Sequence, residues 1–319
     1  MSYERGTMKN KGLKNEKFQR SSFSVQSSVH VPVLKNEVLK YLNPKPNENF
    51  IDCTFGEGGH SIEILKRINP EGKILGIEVD PQLYEKVRLN FKEKRLILVN
   101  DSYSNLKEIV KEKEFGLING ILFDLGISKW HLEESKRGFS FKKDEVLDMR
   151  YDLNLKFTAQ NIANEWPQIE IESILKEYGE ERFAKKIAKE IVKARKLRKI
   201  KTTFQLVEII KRATPSWCHH KKIHFATRTF QALRIAVNQE LENLKSVLPQ
   251  ALEILEKGGR LVVISFHSLE DRIAKNFLKE NSKKGRLKIL TKKPQRASVE
   301  EIKKNPQSRS AKLRAAIKI

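Results

Sequence analysis

Cysteine is nearly absent: Cys53 and Cys218 are the only two in 319 residues, and they sit in unrelated contexts. That excludes a disulfide framework and fits a reducing compartment. No apolar run reaches the roughly 20 residues that would span a bilayer, so no membrane association is expected. Arg5, Lys9, Lys11 and Lys14 are followed by no apolar stretch, so the sequence shows no secretory leader and reads as cytoplasmic. Acid is the scarce charge. Lys and Arg number 63 against 40 acidic residues, a formal net charge of +23, far more than solubility requires. The expected partner is a nucleic acid rather than an anionic membrane surface, although charge alone does not separate RNA from DNA. The hydrophobic fraction of 39% over this length supports one large α/β domain with an insertion, or two smaller domains.

Residues 1–29 are rich in Lys, Ser, Asn and Gln, with little periodicity, and read as a mobile basic tail. Beyond them, apolar runs at Phe50 to Thr54, Lys73 to Glu78, Arg95 to Val99, Asn119 to Leu125 and Arg260 to Phe266 alternate with helical patterns. This is the rhythm of an α/β fold with a central, mostly parallel sheet. Between the fourth and fifth runs the spacing turns helical, as in Ile171, Ile174, Leu175 and Tyr178, then Phe183, Ile187 and Ile191. Residues 133–234 therefore read as a helical insertion into a core formed by 30–132 and 235–319. Within it, Lys185, Lys186, Lys189, Lys193, Arg195, Lys196, Arg198, Lys199 and Lys201 crowd one helix and its exit. Matching acids at ion-pair spacing are missing after Glu190, so the run is either a solvated face or a phosphate-binding one.

The segment Ile51 to His60 ends a strand in a glycine cluster, Gly56, Gly58 and Gly59, and then opens a helix at about Ser61. Glycine lets the chain bend sharply and present N–H groups at a helix N-terminus. Glu78 ends the next strand about 20 residues further on, where a carboxylate can accept from a ribose diol. Turn and acid together indicate an adenosine cofactor. His60 and Ser61 stand where the dinucleotide fingerprint would carry its last glycine, which favours S-adenosylmethionine over a nicotinamide dinucleotide. Asp124 closes the fourth strand beside Gly126, at the edge where α/β sheets bind ligands.

With these residues the sequence resembles the bacterial 16S ribosomal RNA (cytosine-N4)-methyltransferases. The resemblance is carried by His30 to Leu34, Thr54 to Ser61, Asp124 to Ser128 with Arg137 to Phe141 and Leu147 to Arg150, Ala226 to Ile235, Ile264 to Arg272, and Asn305 to Arg314. It implies a class I (Rossmann-like) methyltransferase core interrupted by a helical, RNA-holding insertion. The cofactor would be S-adenosylmethionine, and the partner 16S rRNA or the small ribosomal subunit. It places the cofactor on Gly58, Gly59, His60, Glu78, Tyr103, Asp124 and His131. Glu78 stands where the family often has Asp, and Tyr103 and His131 where it often has Phe and Gln; Lys129 replaces a second serine. A homodimer is compatible with the sequence and is not called for by it.

Cytosine N4 is a poor nucleophile because its lone pair is delocalised into the ring, so alignment with the electrophilic methyl carries most of the catalysis. Asp124 is expected to orient the amine, with Ser128 in the adjoining loop, and the N4 proton to leave to water. Methylation at C5 would instead need a cysteine nucleophile, and Cys53 lies inside a strand. His267, after the fifth strand, reads either as a cleft residue or as a packed core histidine. Arg228 and Arg234 read either as phosphate contacts or as partners of acids such as Glu240 and Glu242. Cys218, His219, His220 and His224 match no common zinc spacing, and no metal is expected. A ribosome-assembly protein using the fold without catalysis is the competing class, against which the intact cofactor turn counts.

Overall fold

The computed structural model describes residues 32–319; the basic tail and the start of the His30 motif lie outside the described residues. A seven-stranded sheet runs through the described core. Its strands are β1 (Phe50–Asp52), β2 (Ile74–Glu78), β3 (Leu96–Asn100), β4 (Gly120–Asp124), β5 (Arg260–Ser265), β6 (Leu287–Ile289) and β7 (Lys312–Lys318). Their order is β3-β2-β1-β4-β5-β7-β6. The first five pair in parallel, whereas β7 lies antiparallel between β5 and β6. The first five runs read from the sequence are these parallel strands. β1 stops two residues short of the expected Thr54, because the chain turns there toward the glycine cluster.

Thirteen helices accompany the sheet among the described residues. They are α1 (Lys35–Leu42), α2 (Gly59–Leu65), α3 (Pro81–Asn90), α4 (Leu106–Glu112), α5 (Lys129–Glu133), α6 (Ala159–Glu165), α7 (Gln168–Glu177), α8 (Ala184–Leu197), α9 (Thr203–Ala213), α10 (Thr227–Asn238), α11 (Glu240–Ile254), α12 (Ser268–Lys283) and α13 (Val299–Lys304). None of them is long and apolar enough to cross a membrane. Strands β2 and β4 are apolar on both faces because helices cover both, as parallel sheets require. Ile51, Ile77 and Phe123 face Leu244 and Leu248 of α11, while Ile74, Leu122 and Ile264 face Val38 of α1 and Leu65 of α2.

A separate apolar core gathers residues from Phe139 to Val237, most of them on α6 to α10. Helix α8 shows why. Ala184, Ile187, Ala188 and Ile191 fall on one face at helical spacing and are buried, which leaves the lysines outside. Helix α10 crosses residue 234 without a break and ends at Asn238; Gln239, in the left-handed region, then starts α11. The helical layer is thus continuous with the core at this point rather than severed from it. One clasp joins the helical layer to α12, and a second pins α10 to the loop at 149–151 within the helical layer. Glu180 accepts from Ser268 Oγ at 2.6 Å and from Arg272 at 3.0 Å, both on α12. Asn238 accepts from the Tyr151 amide at 2.7 Å and donates to the Met149 carbonyl at 2.7 Å and the Arg234 carbonyl at 2.9 Å.

Asn238 is buried, so its loss strands the Tyr151 N–H and the Met149 C=O away from water. Asn238→Ala is expected to lower unfolding free energy by about 2–3 kcal/mol in urea denaturation. An unchanged midpoint would show that this clasp carries no stability.

Candidate active site

The carboxyl ends of β1, β2 and β4 open into a cleft of about 750 Å³, walled on its far side by α10, the start of α11 and residues of the turn from Pro306 to Ser310. One end is the glycine turn. Gly56 and Gly58 both have φ in the left-handed region, at 54° and 77°. A Cβ on Gly58 would lie 2.7 Å from ring carbons of Phe55 and Phe91, so no other residue fits there without displacement. Helix α2 begins at Gly59, slightly earlier than the expected Ser61.

Glu78 ends β2 with its side chain buried in the floor of this end. Oε2 accepts from the Gly56 amide and Oε1 from the Asp80 amide, each at 2.9 Å. Each oxygen keeps lone-pair capacity for a further donor. Burial pushes its pKa up to about 7, with the Asp80 and Asp52 charges adding to the rise and the two amide hydrogen bonds opposing it. Tyr103 follows β3 and lies edge-on to Phe123, with ring centroids 6.0 Å apart.

Asp124 sits at the centre. Its amide donates to Thr54 Oγ1 at 2.7 Å. Its Oδ2 lies 3.4 Å from His60 Nε2, and its Oδ1 is buried without a partner. Behind the pair, Asp52 accepts from Ser61 Oγ at 2.7 Å. Ser128 caps α5 and meets His131 Nδ1 at 2.6 Å, while His131 Nε2 meets Asp80 Oδ2 at 2.9 Å. Both ring nitrogens of His131 are therefore held by protein. Burial lowers its pKa, against the pull of Asp80.

The far wall is an ion-paired lattice. Arg234 grips Glu240 through Nε at 2.8 Å and Nη2 at 2.9 Å, and Glu270 accepts from the Phe266 amide at 2.8 Å and, in the box that caps α12, from the His267 amide at 3.3 Å. Although burial opposes its charge, Glu240 holds Arg234 above the ordinary arginine range. Of the alternatives for this arginine, the structure realises the acid pair. Glu240, His267 and Glu270 bring ligand atoms within 4.8 Å of one another, but both oxygens of Glu240 are already taken by Arg234.

The cleft thus unites Gly59, His60, Glu78, Tyr103, Asp124, Ser128, His131 and Arg234, with Gly58 shaping the turn beneath it. Arg228 and His267 stand off the cleft wall. Arg228 donates to the Glu180 carbonyl at 2.8 Å, and His267 caps α12. His219 meets Thr214 Oγ1 at 3.0 Å, and His224 stacks on Phe141 with centroids 4.5 Å apart, so these two serve the helical layer. Sequence reasoning missed Thr54, Asp52 and Asp80, which hold the site from behind. An Asp before Pro81 at a helix start was the available signal for Asp80.

A left-handed glycine turn, a buried acid after β2 and an unsatisfied carboxylate after β4, on a parallel sheet ending in the antiparallel β7, define a class I (Rossmann-like) methyltransferase whose cofactor is S-adenosylmethionine. The MraW methylase family model matches residues 27–319, and the chain belongs to that family. It is 48% identical over 292 residues to a protein of Thermosipho melanesiensis named ribosomal RNA small subunit methyltransferase H, covering 91% of this chain and 98% of that one. A protein of the same name from Persephonella marina is 45% identical, covering 91% and 99%. One from Thermotoga neapolitana is 48% identical, covering 90% and 95%.

A ribose diol donates hydrogen bonds, so a cofactor held by Glu78 would bind its ionised form. Affinity for S-adenosylhomocysteine, read by calorimetry, is expected to rise about tenfold from about pH 6 to its plateau above pH 7. Glu78→Gln should bind more weakly and lose this dependence. The same shift acts oppositely on folding: the native state holds the extra proton between about pH 4.5 and 7, so Glu78 destabilises the cofactor-free protein as pH rises through that window. A pH-independent affinity in the parent would remove Glu78 from the cofactor.

Proposed function

We propose that this chain methylates the N4 amino group of a cytosine in the decoding region of 16S ribosomal RNA, as free RNA or within the small subunit. The observation that carries the reading is the Asp124 carboxylate, buried on one oxygen and unsatisfied, at the edge of the cofactor turn. The amine of a base extracted from its stack has hydrogens to donate, and an ionised carboxylate accepts them. Glu78 would hold the ribose, the amides of the turn to Gly59 the methionine end, and Tyr103 would flank the adenosine. When bound, S-adenosylmethionine supplies an electrophilic methyl group on a sulfonium. Asp124 turns the N4 lone pair toward that methyl and stabilises the positive charge growing on nitrogen. Ser128, fixed to His131, sets the position of the loop that follows Asp124. Every group named comes from one copy of the chain, so the reading needs no second subunit.

The exposed face of α8 supports an RNA substrate. Lys185, Lys186, Lys189, Lys193, Lys196, Arg198, Lys199 and Lys201 are solvent-exposed and enter no ion pair among the described residues. Arg195 is the exception, turned inward onto the Ala163 and Trp166 carbonyls at 3.2 and 2.7 Å. Unpaired cations on one face suit a phosphate backbone better than an ion-paired helix surface would.

Labelled methyl transfer to small subunits from a strain lacking the gene, with the nucleoside identified by mass spectrometry, is expected to yield N4-methylcytidine. Asp124→Asn should lower turnover at least about 100-fold while cofactor affinity stays close to the parent; full turnover would remove Asp124 from the chemistry. Replacing Lys185, Lys189 and Lys193 with alanine should weaken RNA binding and reduce the slope of log affinity against log salt by about 2. An unchanged slope would move the RNA to another face.

A further inference from the structure

His60 occupies a position that cofactor binding alone does not explain. It is buried at the second residue of α2, and its Nε2 has no hydrogen-bond partner. The titratable groups that face it are Asp124 from β4, at 3.4 Å from Nε2, and Asp52 from β1, whose own ionisation is favoured by His60 against the burial that raises its pKa. Asp52 and Asp124 are joined a second time through Thr54, which hydrogen-bonds Asp52 Oδ1 at 3.5 Å and accepts from the Asp124 amide at 2.7 Å. An imidazole is therefore lodged between two carboxylates, one of them open to the cleft.

We propose that His60 is a positioning residue for the methyl transfer, taking over through Asp124 the proton that the N4 amine must lose. This rests on the N4-methylation reading. As the N4–carbon bond forms and the sulfonium–carbon bond breaks, nitrogen becomes positive and one N4 proton moves to the Asp124 carboxylate. A carboxylic acid facing an imidazole lone pair then passes it to Nε2, and it leaves to water on product release. Nε2 and Oδ2 lie 3.4 Å apart with no hydrogen bond between them, and the relay requires the tautomer with the ring hydrogen on Nδ1 and the lone pair on Nε2. A lone pair opposite an ionised carboxylate stays at arm's length, and the contact shortens once the proton arrives. The imidazolium so formed lies beside the Asp124 carboxylate.

The test is single-turnover methyl transfer to small subunits across about pH 6 to 9 for the parent and His60→Gln. The variant is expected to be about 100-fold slower, to bind S-adenosylhomocysteine within about threefold of the parent, and to gain rate steadily with pH where the parent levels off. A parallel pH profile, or a rate loss matched by an equal loss of cofactor affinity, overturns the inference and leaves His60 a cofactor contact. A parent that makes N4-methylcytidine alongside an unimpaired His60→Gln sinks this inference alone; a parent that makes none sinks the N4 reading. Should His60→Gln fail to fold, ring ¹⁵N shifts of His60 give a second measurement. They are expected to report the Nδ1–H tautomer in the parent and to move in Asp124→Asn; an Nε2–H tautomer, or no movement, overturns the proposal.

Discussion

A fully buried carboxylate cannot stay ionised without partners, and Asp80 has them on both oxygens. Oδ1 caps α3, accepting from the Gln82 and Leu83 amides at 2.9 and 3.3 Å. Oδ2 receives His131 Nε2 and the Arg137 guanidinium. These partners come from three places: the first turn of α3, the helix after β4, and the first residues leading into the helical layer. Burial alone would raise the Asp80 pKa, but His131 and Arg137 hold it below the ordinary aspartate range. Removing one partner from such a buried set typically costs about 3–5 kcal/mol, because the remaining charge is left uncompensated. Glu78 takes the Asp80 amide, Ser128 is fixed by His131, and Arg137 also donates to the Arg150 carbonyl at 2.7 Å. Glu78, the loop after Asp124 and the entry to the helical layer are thus all registered on one side chain.

That arrangement explains how a site built from distant segments is held in register. The far wall repeats the logic. Arg234 on α10 faces Glu240 on α11, across the Asn238–Gln239 turn that Asn238 itself pins to residues 149 and 151. Each wall of the cleft is thus held by buried ion pairs and hydrogen bonds, whereas Asp124 Oδ1 and His60 Nε2, side by side at the glycine turn, have no hydrogen-bond partner, as is also true of the Tyr151 hydroxyl in the cleft wall.

The five parallel strands and the glycine turn were legible because their signals are local. A strand buried on both faces reads as an apolar run, and a turn with left-handed residues reads as glycine at Gly56 and Gly58. Strands β6 and β7 were not legible. Lys312, Arg314 and Lys318 interrupt the apolar pattern of β7, and Arg314 tolerates burial only because Asp271 of α12 meets it at 2.7 Å, a pairing that spacing does not reveal. The same limit applied to single arginines. Periodicity puts Arg195 among the lysines of α8, yet it turns inward to two carbonyls, and nothing in the sequence separates Arg234, bound to Glu240, from Arg228, bound to a backbone oxygen. Sequence shows which face a side chain occupies, whereas its partner depends on chain segments far away.

The distribution of charge links these observations to the substrate. The molecule is strongly basic, yet its cleft is walled by Glu57, Glu78, Asp101, Asp124, Asp152, Glu240 and Glu270 against Lys129, Arg234 and Arg309. Exposed charges act over about 8 Å at physiological salt, so the basic exterior and the acidic interior each set their own local potential. On the proposed reading these have separate tasks. The exterior attracts a phosphate backbone and holds it at the surface. The interior welcomes a sulfonium and disfavours a phosphate, so what can enter is a neutral base swung out of its stack while its flanking phosphates stay behind. A uniformly basic cleft would bind RNA more tightly but would draw the backbone onto the cofactor, leaving the amine out of line with the methyl.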